Sequence, residues 1–396
     1  MNFKFTEEQE FFRKTVADAV KKIILPHVQR IDEKDEFPRD VWNEFAKLGY
    51  FGLRYPEKYG GLNADKVTSM IFYEELAKGS CGFAASCIMQ CLMGTYFIFR
   101  FGTEEIRQRL LVPAIKGEKI ATMCFTEDQS GSDLAGTRTR AVPVETPSSG
   151  PVPLGGKDGD YWMINGRKNW ITQAPICDFA TVLATTDPSL GLKGLNFFLV
   201  EKNMPGVSHG QILHKLGVRG SITGELILED VRVPKENLLG EELGKGVVYL
   251  GEILNEIRCM TAAVALGIAR VAFHEGLDYA RKRVAFGSPI GKYQLIRAKF
   301  AKMASEIEAT KWLVYSTAWR IDRGENPTTK AAMAKYYATE MCLNVVDEVS
   351  RIFGAAGFAY EYNPQRYLRD ARFLLYGGGT QEILSDFIGR QIIGKL

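Results

Sequence analysis

The chain lacks most of the short motifs that mark an enzyme class. Its seven cysteines run from Cys81 to Cys342. None forms a CxxC pair, so neither a zinc site nor a redox dithiol is signalled. An odd, scattered set also argues against a disulfide framework and suits a reducing cytoplasm. The four histidines never pair at metal-ligand spacing, and no metal is expected. No GxSxG elbow is present to seat a serine nucleophile. A GxGxxG fingerprint is absent. The stretch with Gly240, Gly244 and Lys245 is one residue too short for a phosphate loop, and Gly246 stands where Ser or Thr is needed. The net charge of +3 gives no reason to expect nucleic acid as a partner. Phe3, Phe5, Phe11, Phe12 and Val16 open the chain as an amphipathic pattern, so no signal peptide is read. No apolar run is read as reaching the length of a membrane span. Internal repeats and low-complexity tracts are also missing.

What remains is an ordinary globular composition, 46% apolar and 24% charged. Residues 1–118 read as helices. Thr6 with Gln9 three residues later fits a capping box, and Pro26 ends or kinks the first helix. Further helices are predicted over Arg39 to Leu48, Ser69 to Lys78 and Ala84 to Phe101. Residues 119–235 alternate short apolar stretches with turn residues and read as an all-β unit. Strands are predicted from Tyr161, over Phe179 to Ala184 and over Leu195 to Val200. Asn165 and Gly166 predict a hairpin turn, and Pro143 to Asp160 predicts a long loop. Residues 236–396 return to long helices, Val247 to Gly276, Gln294 to Arg323 and Thr328 to Phe353, which suggests a bundle. The fold class is therefore α+β and multidomain: an N-terminal helical domain, a central β-barrel-like domain and a C-terminal four-helix bundle.

Three glycine- and hydroxyl-bearing segments stand out. The first runs from Phe125 through Thr126, Gly131 and Ser132. It reads either as a polar turn or as a loop whose hydroxyls and amides bind a flat polar ring and a phosphate. The second is Trp170 to Thr172, where a tryptophan is as easily core as ligand contact. The third is Gly377, Gly378 and Gly379, followed by Thr380. Adjacent glycines are costly in backbone entropy and mark either a turn or a close approach to a ligand.

In this order, these segments resemble the acyl-CoA dehydrogenase family over nearly the whole chain. The stretch Phe125 to Asp133 is similar to its flavin and CoA loop, and Trp170 to Thr172 to its WIT segment. The stretch Arg283 to Ile290, with Gln294, resembles its RxQFGxPI…Q run. Phe353 to Gly357 and Gly379 to Ile383 complete the match. The resemblance implies FAD as cofactor, an acyl-CoA substrate, electron transfer flavoprotein as acceptor and a homotetramer or homodimer. It implies that Phe125, Thr126, Trp170 and Thr172 meet the flavin ring. Arg283, Phe286, Gln294, Gly354, Thr380 and Glu382 would hold FAD, several of them across a subunit boundary. Gly131 and Ser132 fall where the family places flavin phosphate and pantetheine. Arg351 replaces the family's usual Gln but still offers donors to phosphate. Arg258 matches an arginine beside the CoA moiety. Asn255, Cys87, Gln90, Cys91, Gly377 and Gly379 are the remaining candidates to border the substrate.

One departure governs the chemistry. The family's base is a Glu just before the C-terminal Gly-Thr pair, and here that position is Gly378. The resemblance implies that its N–H can still donate to the thioester oxygen, but glycine offers no side chain to take a proton. Some relatives carry the Glu just before the helix arginine, and here that residue is Ile257. Glu256 lies about 100° further round the helix. The stretch Ala84 to Phe101 holds no Asp or Glu, and Ala84 itself stands where glutaryl-CoA enzymes carry an arginine. Three readings stand. The chain dehydrogenates a bulky cyclic or aryl acyl-CoA with a base placed elsewhere. Alternatively, it oxidatively decarboxylates an α-carboxylated ester of the benzylmalonyl-CoA type, where loss of CO₂ replaces proton removal. In the third reading it is a repurposed flavin- or acyl-CoA-binding protein.

Overall fold

The computed structural model describes residues 4–144, 161–240 and 242–394. The first helix, α1 (Glu7–Ala19), starts at the expected capping box. The Thr6 side chain accepts from the Gln9 N–H, and the Gln9 side chain accepts from the Thr6 N–H. Pro26 breaks the regular helix into a π turn at Val20–Ile24 and a 3₁₀ turn at Leu25–His27. Two helices then build the N-terminal core, α2 (Lys66–Gly79) and α3 (Cys81–Phe101). A π-helical turn, Met89–Met93, interrupts α3.

The middle of the chain is an eight-stranded sheet. Its strands are β1 (Ala121–Cys124), β2 (Arg140–Val144), β3 (Tyr161–Thr172), β4 (Phe179–Thr185), β5 (Leu195–Glu201), β6 (Val207–Ile212), β7 (Thr223–Pro234) and β8 (Leu238–Leu239). The order is β6-β7-β3-β2-β4-β5-β8, with β1 parallel to β4. Every residue of β4 is buried, as its mostly apolar sequence, broken only by Thr181 and Thr185, suits a strand covered on both faces.

Asn165 and Gly166 do not turn a hairpin. They lie inside β3, at a register shift against β7. The side chain of Asn165 donates to Asp230 and accepts from the Asp230 N–H. The dipeptide makes a bulge, because β3 pairs with distant β7 rather than folding back on itself. Of the long predicted loop, Pro143 and Val144 belong to β2, and residues 145–160 lie outside the described residues.

The C-terminal part contains α4 (Gly246–Lys282), α5 (Gln294–Asp322), α6 (Thr328–Phe353), α7 (Pro364–Phe373) and α8 (Gln381–Ile393). Helices α4, α5, α6 and α8 pack as a bundle, and α4 also lies on α2. Contrary to the expectation of no span-length run, α3 and α4 are each long and apolar enough to cross a bilayer. Of their most apolar stretches, 83% and 78% is buried inside the protein. They are core helices, apolar on most sides because neighbours surround them.

Candidate active site

The first wall of the site is shaped by β3. Its register slips again between Lys168 and Ile171. Trp170 takes φ +61° there, which turns its indole outward to 60% exposure. The Asn169 N–H donates to the Thr126 carbonyl at 2.8 Å, and the Asn169 side chain donates to Asp128. The Phe125 segment is thereby stitched beside Trp170. Beneath it lies a fully buried lysine, Lys168. Its ammonium meets Glu127 at 2.6 Å and the Phe125 carbonyl at 3.2 Å. Glu127 also accepts the N–H groups of Arg138 and Thr139, at 2.7 and 3.0 Å. Burial works against its charge, but the ammonium and these donors outweigh burial and hold the carboxyl below its usual range. The half-buried Phe125 ring rests on Phe97 and Phe197, with centroids 6.1 and 5.1 Å away. Thr172 is half-buried, and its carbonyl accepts from the Thr122 hydroxyl at 2.6 Å.

Gly131 and Ser132 are exposed at the rim. A Cβ added to Gly131 would meet nothing nearer than Thr126 Cγ2 at 4.0 Å. An uncovered indole, open backbone and a neutralised floor fit the flat ring and phosphates of FAD.

The second wall is the glycine turn between α7 and α8. Gly378 has φ +74° and Gly379 φ +104°, conformations that glycine adopts without steric cost. A Cβ at Gly378 would stand 3.5 Å from Thr261 Oγ1 and 3.9 Å from Ile257 Cγ2. These are ordinary contacts, so backbone hand rather than lack of room selects glycine.

Arg258 reaches this turn from α4. Its Nε donates to the Gly378 carbonyl at 3.4 Å, and its guanidinium lies 5.4 Å from the Phe387 ring centroid. It is 7% exposed, and no carboxylate is paired with it among the described residues. Burial lowers its pKa. Glu256 faces another way and is tied to Arg54 at 2.8 Å and Lys66 at 3.2 Å. The side chain of Asn255 donates to Asn326 and Thr328, which sets it against the start of α6.

Helix α3 differs from the expectation. The Gln90 amide is consumed by the Ala114 and Lys119 carbonyls and the Ala121 N–H. Cys87 and Cys91 are buried, and burial pushes the Cys91 thiol up to about 12. These three residues face the protein interior. Between Gly82 and Ile98 the residues left partly open are Ala85 and Met93, with Met89 between them. Four-residue spacing puts all three on one face. That spacing, rather than polarity, was the sequence signal for the open side of α3.

The remaining candidates lie on further elements or, for Thr380 and Glu382, just beyond the glycine turn. Arg283 and Phe286 belong to the small hairpin β9 (Val284–Ala285) and β10 (Ser288–Pro289), and Gln294 opens α5. Phe286 is 96% exposed, so among the described residues only the edge of Tyr293 comes near its ring. Arg351 is exposed and paired with Asp347 at 2.7 Å, and Gly354 is exposed. Thr380 caps α8, its hydroxyl accepting from the Ile383 N–H, and Glu382 is exposed in the first turn. The sequence reading missed Lys335 of α6. It is wholly buried and donates to the carbonyls of Leu375 and Gly379 and to the Gln381 side chain, at 3.1, 2.7 and 3.1 Å.

The family descriptions that match are "Acyl-CoA dehydrogenase, N-terminal domain" over residues 6–118, "Acyl-CoA dehydrogenase, middle domain" over 122–231 and "Acyl-CoA dehydrogenase, C-terminal domain" over 244–393. The chain is 41% identical to a benzylmalonyl-CoA dehydrogenase of Aromatoleum aromaticum, over 99% of this chain and 100% of that one. It is 36% identical to the caffeyl-CoA reductase-Etf complex subunit CarC of Acetobacterium woodii, over 99% and 100%. Among solved structures, butyryl-CoA dehydrogenase from Megasphaera elsdenii superposes with a TM-score of 0.92 at 34% identity, over the full length of both chains.

Proposed function

The chain belongs to the acyl-CoA dehydrogenase family of FAD-dependent oxidoreductases, and on that premise we propose that it oxidatively decarboxylates an aryl acyl-CoA ester bearing an α-carboxylate. The observation that carries this reading is the buried Arg258 guanidinium against Gly378, with no carboxylate paired to it among the described residues. A buried cation wants an anion. Where the family supplies a Glu side chain, this chain supplies backbone, and the substrate's own carboxylate completes the charge balance.

The step needs no base. The Cα–carboxylate bond breaks, CO₂ leaves, and the bonding pair stays on Cα and spreads onto the thioester oxygen. The Gly378 N–H donates to that oxygen as charge develops. The same pair then forms the Cα–Cβ double bond as a hydride departs from Cβ. FAD, when bound, supplies the hydride acceptor. A Glu at 378 would repel the substrate carboxylate. The mixed aliphatic face of Ala85, Met89 and Met93 suits an aryl group, since methionine adapts to irregular apolar shapes. The benzylmalonyl-CoA dehydrogenase relative supports the same substrate class.

Electron transfer flavoprotein is the electron acceptor under this reading, in keeping with the Etf complex of the caffeyl-CoA relative. The uncovered Phe286 supports a homo-oligomer in which one copy covers the hairpin of another. The free, buried cysteines of the described residues suit a cytoplasmic setting.

The test is anaerobic flavin bleaching with benzylmalonyl-CoA, a saturated cyclic acyl-CoA and 3-phenylpropionyl-CoA, each with CO₂ followed in parallel. Bleaching with release of CO₂, from benzylmalonyl-CoA alone, is expected. Bleaching by either ester without an α-carboxylate would sink the proposal and require a base elsewhere.

A further inference from the structure

Lys335 brackets the glycine turn. One acceptor, the Leu375 carbonyl, lies before Gly377, the second is the carbonyl of Gly379, and the third is the Gln381 side chain just beyond. Gln381 is held in turn by the Tyr336 carbonyl and Glu340. An ammonium has three N–H donors and no acceptor, and it finds three acceptors here. The turn needs such a tie. Two of its glycines hold positive φ, and glycine has the largest conformational freedom to lose.

We propose that Lys335 is a positioning residue for the reaction: its ammonium holds both ends of the glycine turn and so fixes the direction of the Gly378 N–H. This inference rests on the reading of that N–H as donor to the thioester oxygen.

The tie depends on charge. A neutral amine keeps two donors and turns a lone pair toward the third acceptor. Burial, above all, with Arg258 on α4 adding to it, lowers the Lys335 pKa to about 8 against the opposite pull of Glu340 on α6 and Glu382 on α8. The turn is therefore tied well below about pH 8 and loosens as pH rises through that value.

The experiment binds cinnamoyl-CoA to the FAD-loaded enzyme. The absorption of this enoyl ester moves to the red when its thioester carbonyl accepts hydrogen bonds, and it carries no α-carboxylate. The shift is followed from about pH 6.5 to about pH 9.5, a range that brackets the displaced lysine. In the natural enzyme the shift is expected to fade through pH 8. In Lys335→Arg, which stays charged throughout, it is expected to persist. In Lys335→Met it is expected to be small and flat, with unchanged flavin content. A red shift present but constant across pH 8 in the natural enzyme overturns this inference alone. A bound ligand showing no shift at any pH overturns the role of the Gly378 N–H, and this inference with it. If Lys335→Met does not fold, the natural enzyme and Lys335→Arg decide the matter between them.

Discussion

Lys168 and Lys335 are both wholly buried, yet they sit in opposite electrical surroundings. Lys168, under the β3 bulge, meets a carboxylate at 2.6 Å. Lys335, under the glycine turn, meets carbonyls and an amide, with a second cation, Arg258, close enough to lower its pKa. The first wall is thus closed and neutral before any ligand arrives. In the second wall neither Lys335 nor Arg258 forms an ion pair among the described residues, and Glu340 and Glu382 act on Lys335 only from farther off. A buried ion pair is stable when both partners are present and costly when one is lost. A buried cation without a partner is an incomplete arrangement that an anionic ligand completes. The comparison assigns the walls different tasks. The β side supplies a rigid bed, and the helical side supplies an electrostatic vacancy for the substrate.

The largest effect is expected where the closed pair is opened. Glu127→Gln strands the Lys168 ammonium and should cost about 3–5 kcal/mol, read from urea unfolding midpoints, with loss of bound flavin. An unchanged midpoint would mean that Lys168 does not need its partner, and the contrast between the walls would collapse. Next comes Arg258→Met. Removing the cation opposite a substrate carboxylate should slow benzylmalonyl-CoA turnover by about 100-fold, equivalent to about 3 kcal/mol. Binding of cinnamoyl-CoA, measured by spectral titration, should change far less. Equal losses for both ligands would show that Arg258 serves the CoA moiety instead. The smallest effect belongs to Gly378→Ala. It places a Cβ at φ +74° and should lower stability by about 1–2 kcal/mol, visible as a reduced Tm. Gly378→Glu adds charge to the same strain. It should abolish benzylmalonyl-CoA turnover, while 3-phenylpropionyl-CoA begins to bleach the flavin slowly. Unimpaired turnover of benzylmalonyl-CoA by Gly378→Glu would show that the carboxylate sits elsewhere.

The order of helical, β and helical regions was legible from local pattern, because α6 repeats apolar residues at helical spacing and β4 and β5 are short, mostly apolar runs. The bulge at Asn165 and Gly166 was not. A two-residue turn motif says nothing about which strand will be the partner, and here β7, far along the chain, won. At the site, the lack of a carboxylate at position 378 is plain from the sequence. On α3, polarity points to Cys87, Gln90 and Cys91, which the fold buries, whereas the partly open residues are Ala85 and Met93. Gln90 is polar to satisfy backbone, not substrate. Lys335 was invisible because its acceptors are mostly main-chain carbonyls, which leave no trace in side-chain pattern.

The π turn at Met89–Met93 has a consequence for how such an enzyme changes its taste in substrates. A π turn carries one residue more than the α-helix around it. Five residues at π pitch sweep nearly the same angle as four at α pitch, so the extra residue is absorbed locally and the helix on either side stays in phase. Deleting a residue there would return the turn to regular helix, with Ala85 on one side and Tyr96, hydrogen-bonded to Glu252 at 3.2 Å, on the other keeping their directions. The turn is a place where the substrate-facing surface of α3 gains or loses a residue while the charges at the glycine turn stay fixed.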